Sequence, residues 1–197
     1  MKLNIDHFGF LAASYERLIT VSPPEKMIDL LDLPEKGVLL DAGGGTGRVS
    51  QFLMEKSNFT VVADPSIRML RQAIKKDGLR PVCSQAEQIP FSSEKFDRVI
   101  MVDALHHVAD QTRVAAEFWR VLKPGGRIVI EEPDIRSFGV KLIAVGEKIL
   151  LMRSHFLSPA QIAELFPAAD ARVRIESEDA TAWIVIDKIE RIDLKEL

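Results

Sequence analysis

The stretch Val38–Ser50 reads VLLDAGGGTGRVS. A short apolar run ends at Asp41 and breaks into glycines, the pattern of a buried strand opening into a tight loop. Such a loop brings backbone N–H groups close to a ligand, and several ligand classes use one. Those classes differ in charge, so the side chains around the glycines discriminate among them.

Outward from this stretch, strand-like and helix-like segments alternate. Arg48 to Glu55, with Val49, Phe52 and Leu53 on one side, is predicted as a helix, and FTVVAD, Phe59–Asp64, as the second strand. In DPSIRMLRQAIKK, Ser66 is placed to cap a helix whose Ile67, Leu70 and Ile74 share one face. A short third strand is expected around Arg80–Cys83 and a fourth in FDRVIMVD, Phe96–Asp103, with QIPFSSEK as the loop between them. Val114, Phe118, Val121 and Leu122 recur at helical spacing up to a turn at LKPGG, and RIVIEEPD is the fifth strand. Parallel neighbours need crossover connections, so this rhythm predicts a doubly wound α/β fold with a mostly parallel sheet covered on both faces. The tail departs from the rhythm. SPAQIAELF offers Ser158 as a cap, Pro159 at the first helical position and Gln161 for a capping box. ARVRIES and ATAWIVIDKI then follow each other closely, which predicts a hairpin and an antiparallel strand.

The composition narrows the partners. The chain has 197 residues and a net charge of −3, which leaves no basic excess for a nucleic-acid backbone. Cys83 is the one cysteine, so an internal disulfide and a cysteine-rich metal site are both excluded, and no metal cluster is visible. The start, MKLNIDHFGF, lacks the features of a signal peptide, and the apolar zone Val140–Met152 is broken by Lys141, Glu147 and Lys148. No integral membrane segment and a cytoplasmic location are therefore expected; the oligomeric state is not legible.

The residues around the glycines decide what the loop holds. A triphosphate loop needs a lysine and a hydroxyl after its last glycine, where Arg48 and Val49 stand. A dinucleotide fingerprint fits Gly43 and Gly45, but its third position falls on Arg48, with Gly47 one residue early. Asp41 at the end of the strand would repel a pyrophosphate and attract an ammonium or sulfonium group. Asp64 ends the second strand, where an acid accepts hydrogen bonds from ribose hydroxyls. A ribose joined to a cationic, phosphate-free tail describes S-adenosylmethionine.

These residues resemble those of the class I S-adenosylmethionine-dependent methyltransferases. The similarity is to the methyltransferase type 11-like group that includes the ubiquinone and menaquinone biosynthesis methyltransferases. It runs from Val38 to Asp134 and rests on VLLDAGGGTGRVS, VVADPSIRML, AEQIPFSSEKFDRVIMVDALHHV and VLKPGGRIVIEEPD, in that order. The resemblance implies a Rossmann-like, seven-stranded, mostly parallel sheet with a C-terminal antiparallel hairpin. It implies one domain over residues 1–197: an N-terminal helical cap (1–35), a cofactor-binding core (36–134) and a variable helical segment with the terminal hairpin (135–197). It also implies that Gly43, Gly44, Gly45 and Gly47 let the backbone approach the cofactor and that Asp41 faces its methionine end. Asp64, followed by Pro65, would hold the ribose. Gln85, Ala86 and Glu87 would lie beside adenine, and Asp103 and Ala104 would contact the methionine moiety. Family members usually carry aspartate where Gln85 stands; a glutamine oxygen accepts the same bond.

Methyl transfer from a sulfonium needs little acid or base help at sulfur, so catalysis comes mainly from alignment, with a base required only for an acceptor that arrives protonated. His106 and His107 follow the fourth strand, and His107 is the leading base candidate; packing or capping of the next helix is the competing reading. His155 and Tyr15 approach from the two variable segments. Phe8, Leu11, Tyr15 and Leu18 line a predicted N-terminal helix, and with the apolar Val140–Met152 helix they would favour a small, largely apolar methyl acceptor such as an aromatic or quinone precursor. A silent module that binds S-adenosylmethionine or S-adenosylhomocysteine without turnover fits the same motifs. A nicotinamide-dependent oxidoreductase is disfavoured by Arg48 and Asp41. A nucleic-acid base methyltransferase is disfavoured by the charge and by DALHHV in place of an aromatic N-P-P motif.

Overall fold

Seven stretches rich in β-branched and aliphatic residues form one sheet. They are β1 (Val38–Ala42), β2 (Phe59–Asp64), β3 (Leu79–Cys83), β4 (Phe96–Val102), β5 (Leu122–Pro133), β6 (Ala171–Glu178) and β7 (Thr181–Lys188), in the order β3-β2-β1-β4-β5-β7-β6. The computed structural model describes residues 24–137, 140, 154–167 and 169–190. The predicted N-terminal helix with Phe8, Leu11, Tyr15 and Leu18 lies outside the described residues, as does the Val140–Met152 segment beyond Val140. Strands β1 to β5 run parallel, and β7 is antiparallel to both β5 and β6, as the hairpin reading required. The connection reverses direction between β1 and β4, neighbours in the sheet, so a crevice opens at their C-terminal ends.

Alternate residues of each strand feed opposite cores, which is why both faces need cover. On one face Leu40, Val99, Met101, Ile128 and Ile130 pack with helix α3 (Gln111–Val121) and helix α4 (Pro159–Glu164). On the other, Leu39, Ile100, Val129 and Val185 pack with Met27, Leu30 and Leu31 of helix α1 (Glu25–Leu31). Arg98 and Arg127 take the Leu31 and Leu30 carbonyls at 2.7 and 2.9 Å, satisfying acceptors that the end of α1 leaves open. The α4 capping box forms as the sequence predicts, with Ser158 Oγ accepting from the Gln161 amide and Gln161 Oε1 from the Ser158 amide.

Three expectations are corrected. Arg48–Glu55 is not an α-helix but two 3-10 turns, Ser50–Phe52 and Met54–Lys56. Its bonds reach back three residues, from Phe52 N to Val49 O and from Leu53 N to Ser50 O, while Gln51 Nε2 occupies the Arg48 carbonyl at 2.9 Å. This tight winding drops Leu53 into the core beside α1. Helix α2 (Ile67–Ala73) buries Met69, Leu70 and Ala73, leaving Ile67 and Ile74 exposed. The cap is the predicted Ser66, but the face that meets Val62 and Leu79 is rotated from the one predicted, and Ile74 lies past the last turn. Finally, Leu122 belongs to β5 and not to the end of α3: it pairs with Phe96, and pairing resumes at Arg127 with Arg98. Lys123–Gly126 bulges out between them, with Gly125 at φ +72°, and Lys123 Nζ lies 2.9 Å from the Asp97 carboxylate.

Candidate functional site

The glycine loop joins the C-terminal ends of β1 and β2 and touches the end of β4. Gly43 N–H donates to Ala63 O at 2.7 Å, and a Cβ on Gly43 would stand 2.8 Å from the Ala104 Cβ. At Gly44 an added Cβ would meet the Asp41 carboxylate at 2.5 Å. Gly47, at φ +71°, has Leu79 Cδ1 2.5 Å from where its Cβ would be. It therefore fills the close-packing role that a dinucleotide fingerprint gives to its third glycine, one residue earlier in the chain. Gly45 N–H donates to Asp64 Oδ2 at 3.0 Å, and Ser66 N–H, one residue beyond Pro65, donates to Asp64 Oδ1 at 2.7 Å. These bonds fix the carboxylate at the mouth of the crevice.

Asp41 sits beneath the loop, 1 % exposed, with Ser50 Oγ donating to its Oδ2 at 2.6 Å. Burial pushes its pKa up to about 6; the Ser50 bond opposes this, the Asp64 charge adds to it, and Arg48 opposes it. Asp103, at φ +49°, leaves β4 in a left-handed conformation with its N–H on Glu131 O at 2.9 Å. Its surface counts as exposed, yet the protein mass around a cleft wall desolvates the carboxylate, and together with Glu132 this raises its pKa. Glu131 is raised as well, by burial first, although Trp183 Nε1 donates to its Oε2 at 2.8 Å. The Arg48 charge acts on Asp41, Asp103 and Glu131 together. In the sequence Arg48 served only to reject a triphosphate and a dinucleotide; its place among the acids is a tertiary result.

The end of β3 joins the same region, with Ser84 N–H donating to Asp64 O at 3.2 Å. Ala86 is buried and Gln85 is exposed. Glu87 braces the start of α3, its Oε1 accepting from Ala109 N at 2.9 Å and Asp110 N at 3.4 Å. Ser84 Oγ, between Cys83 and Gln85, is buried without a hydrogen-bond partner among the described residues.

Beyond β4, a buried glutamate missed by the sequence reading organises the loop. Glu132 Oε1 accepts from Ala104 N at 2.9 Å and Leu105 N at 2.7 Å, and its Oε2 lies 2.5 Å from His106 Nδ1. A charged residue inside the apolar run RIVIEEPD was the available signal. His106 is buried and stacked on Phe156, whereas His107 is half-buried with Nδ1 3.3 Å from Ser154 Oγ. His155 serves the backbone, its N–H donating to His106 O at 2.7 Å. Tyr15, the other sequence candidate, lies outside the described residues. No group of three or more potential metal ligands occurs among the described residues, nor a helix long and apolar enough to cross a membrane.

Residues 40–130 match a family described as a methyltransferase domain. Over these residues the chain is similar to methyltransferase domains. S-adenosylmethionine is the cofactor this domain implies. The chain is 29% identical over 148 residues to methyltransferase GfsG of Streptomyces halstedii, covering 66% of this chain and 51% of that protein. It is 34% identical over 102 residues to the demethylmenaquinone methyltransferase of Corynebacterium urealyticum, covering 52% and 44%. The chain thus spans about half the length of the curated relatives it matches. A Thermotoga maritima structure, described as an S-adenosylmethionine-dependent methyltransferase and possible histamine N-methyltransferase, superposes with a TM-score of 0.73 at 25% identity. The match covers 92% of this chain and 97% of that one. The family match spans the glycine loop and the strands through β5, and the structural match extends over the reversed last strand.

Proposed function

We propose that the protein is an enzyme that transfers a methyl group from S-adenosylmethionine to a small, largely apolar acceptor. The observation that carries this reading is the loop Gly43–Gly47. Its backbone is packed so closely that Cβ atoms at Gly43 and Gly44 would strike Ala104 and Asp41, and it is flanked by the buried carboxylates of Asp41 and Asp64, while Lys76 Nζ donates to the Thr46 carbonyl at 2.7 Å. That cradle fits a cationic, ribose-bearing ligand and opposes a pyrophosphate.

Bound S-adenosylmethionine supplies a methyl group on a sulfonium whose thioether leaves neutral. Asp64, its carboxylate fixed by the Gly45 and Ser66 amides, would hold the ribose hydroxyls. Asp41 stabilises positive charge from beneath the loop, and Asp103 and Ala104 border the methionine end. Gln85, Ala86 and the buried Ser84 hydroxyl border adenine. Alignment of the acceptor against the methyl group supplies most of the rate, up to about 7–11 kcal/mol in favourable intramolecular systems. A protonated acceptor also needs a base, and the two histidines after β4 are placed for that task.

Thermal unfolding with ligands tests the reading. S-adenosylhomocysteine is expected to raise the melting temperature and NAD to leave it unchanged. Stabilisation by NAD alone would overturn the assignment. Mass analysis for a methylated product after incubation with S-adenosylmethionine and small aromatic acceptors separates an enzyme from a silent binding module.

A further inference from the structure

We propose that the outer edge of β6 pairs with the same edge of a second copy of this chain, antiparallel about a two-fold axis at Ile175, so that the two sheets join into one. The inference goes beyond the methyl-transfer reading and does not depend on it.

A sheet edge is a row of unpaired N–H and C=O groups, and proteins usually blunt it. The two edges of this sheet differ. β3, at one end of the strand order, is five residues long and carries Pro81, which has no N–H to offer. β6, at the other end, runs for eight residues and keeps register with β7 throughout, without proline or bulge. Val173 and Ile175 are 37 % and 40 % exposed, opposite the buried Ile186 and Ile184. The apolar surface of β7 therefore continues uncovered to the edge.

The backbone fixes which groups face outward. Ile189 N–H donates to Asp170 O at 2.8 Å, one step beyond the β6–β7 register. Alternation along an antiparallel pair then turns the N–H and C=O of Arg172, Arg174, Glu176 and Glu178 toward β7. Those of Val173, Ile175 and Ser177 point to the open edge.

The side chains select the occupant. One face of the strand reads Arg172, Arg174, Glu176, Glu178, two positive charges and then two negative. With the axis at Ile175, Arg174 stands opposite Glu176 of the second copy and Arg172 opposite its Glu178. Both pairs fall at positions not hydrogen-bonded across the new edge, where facing side chains come closest. Moving the axis to Arg174 or Glu176 sets like charges face to face, and moving it to Val173 sets Arg172 against Arg174. The pattern thus fits its own reverse in one register, and rejects its neighbours by repulsion. Within one chain Glu176 lies 2.5 Å from Lys26 and 3.5 Å from Arg174, while Arg172 and Glu178 form no ion pair among the described residues. The outer pair therefore gains the most. On the opposite face Ile175 meets its own copy, and Val173 meets Ser177.

Sedimentation equilibrium at protein concentrations up to about 100 μM tests this, and the expected result is a monomer–dimer equilibrium weakened by salt. Arg172→Glu with Arg174→Glu makes the charged face wholly acidic, and Glu176→Arg with Glu178→Arg makes it wholly basic. Each double variant alone is expected to raise the dimer dissociation constant at least about tenfold, and an equimolar mixture of the two to recover association as a heterodimer. Ile175→Pro removes the outward amide at the axis and no bond to β7, so a folded monomer is expected. If that variant fails to fold, the charge-reversed mixture decides. Hydrogen exchange locates the contact: the Val173 and Ser177 amides are expected to exchange slowly in the dimer and fast in the Ile175→Pro monomer. A monomeric wild type, a dimer that survives both charge reversals, or a mixture that fails to associate would overturn the proposal. Slow exchange of these amides in a monomer would show a different occupant of the edge, and would overturn it as well.

Discussion

Replacing Asp41 with asparagine separates the cost of a buried charge from the shape that holds it. Asparagine keeps an oxygen for the Ser50 hydroxyl and fits under Gly44, so the main change is loss of the ionisable group. The carboxyl's pKa rises from 3.8 to about 6 on folding, a difference corresponding to about 3 kcal/mol. The direction follows from linkage: the folded state holds a proton that the unfolded chain has released, so stability falls as pH rises through this window. The penalty is absent below 3.8, grows toward 6 and is complete above it. Urea denaturation of both proteins from pH 4 to pH 8 reads the effect. Asp41→Asn is expected to be more stable by up to about 3 kcal/mol at pH 8, with the advantage shrinking toward pH 4. Parallel pH curves for the two proteins, or a less stable variant at pH 8, would refute the reasoning. Cofactor binding adds a second readout, because S-adenosylmethionine carries a positive sulfur that S-adenosylhomocysteine lacks. The affinity ratio of the two ligands is expected to fall below pH 6 in the wild type and stay flat in the variant.

Asp64→Ala removes the carboxylate that accepts from Gly45 and Ser66, and is expected to weaken S-adenosylhomocysteine at least tenfold, or about 1.4 kcal/mol, in calorimetry. Unchanged affinity would show the ribose assignment to be wrong. Gly47→Ala places a methyl group 2.5 Å from Leu79 Cδ1 at a left-handed backbone position, so a loss of about 1–3 kcal/mol is expected in chemical denaturation. Adding Leu79→Ala should fail to restore the wild type, since the backbone strain persists. Ser158→Ala breaks the capping box and is expected to cost about 1 kcal/mol by the same measurement, with S-adenosylhomocysteine affinity unchanged.

Much of the molecule is written locally. The limits of β2, the caps at Ser66 and Ser158 and the reversed tail follow from short-range rules: side-chain alternation, a hydroxyl that reaches the third amide, and turn residues between two β-branched runs. The corrections come where neighbours outside the segment decide. The winding of Ser50–Lys56 depends on where Leu53 must go, and the rotation of α2 on the surface made by Val62 and Leu79. Leu122 joins β5 because Phe96 stands ready to pair with it.

The site divides in the same way. By itself, the sequence determined the ligand class, because glycine spacing and the charges at two strand ends are chemical facts that need no coordinates. Only the tertiary structure decided that Asp41 lies beneath the loop, that Arg48 acts on acids in β1, in β5 and just after β4, and that Glu132 holds His106. Those pairings join residues far apart in sequence, and their strength depends on burial, which removes the water that would otherwise screen each charge.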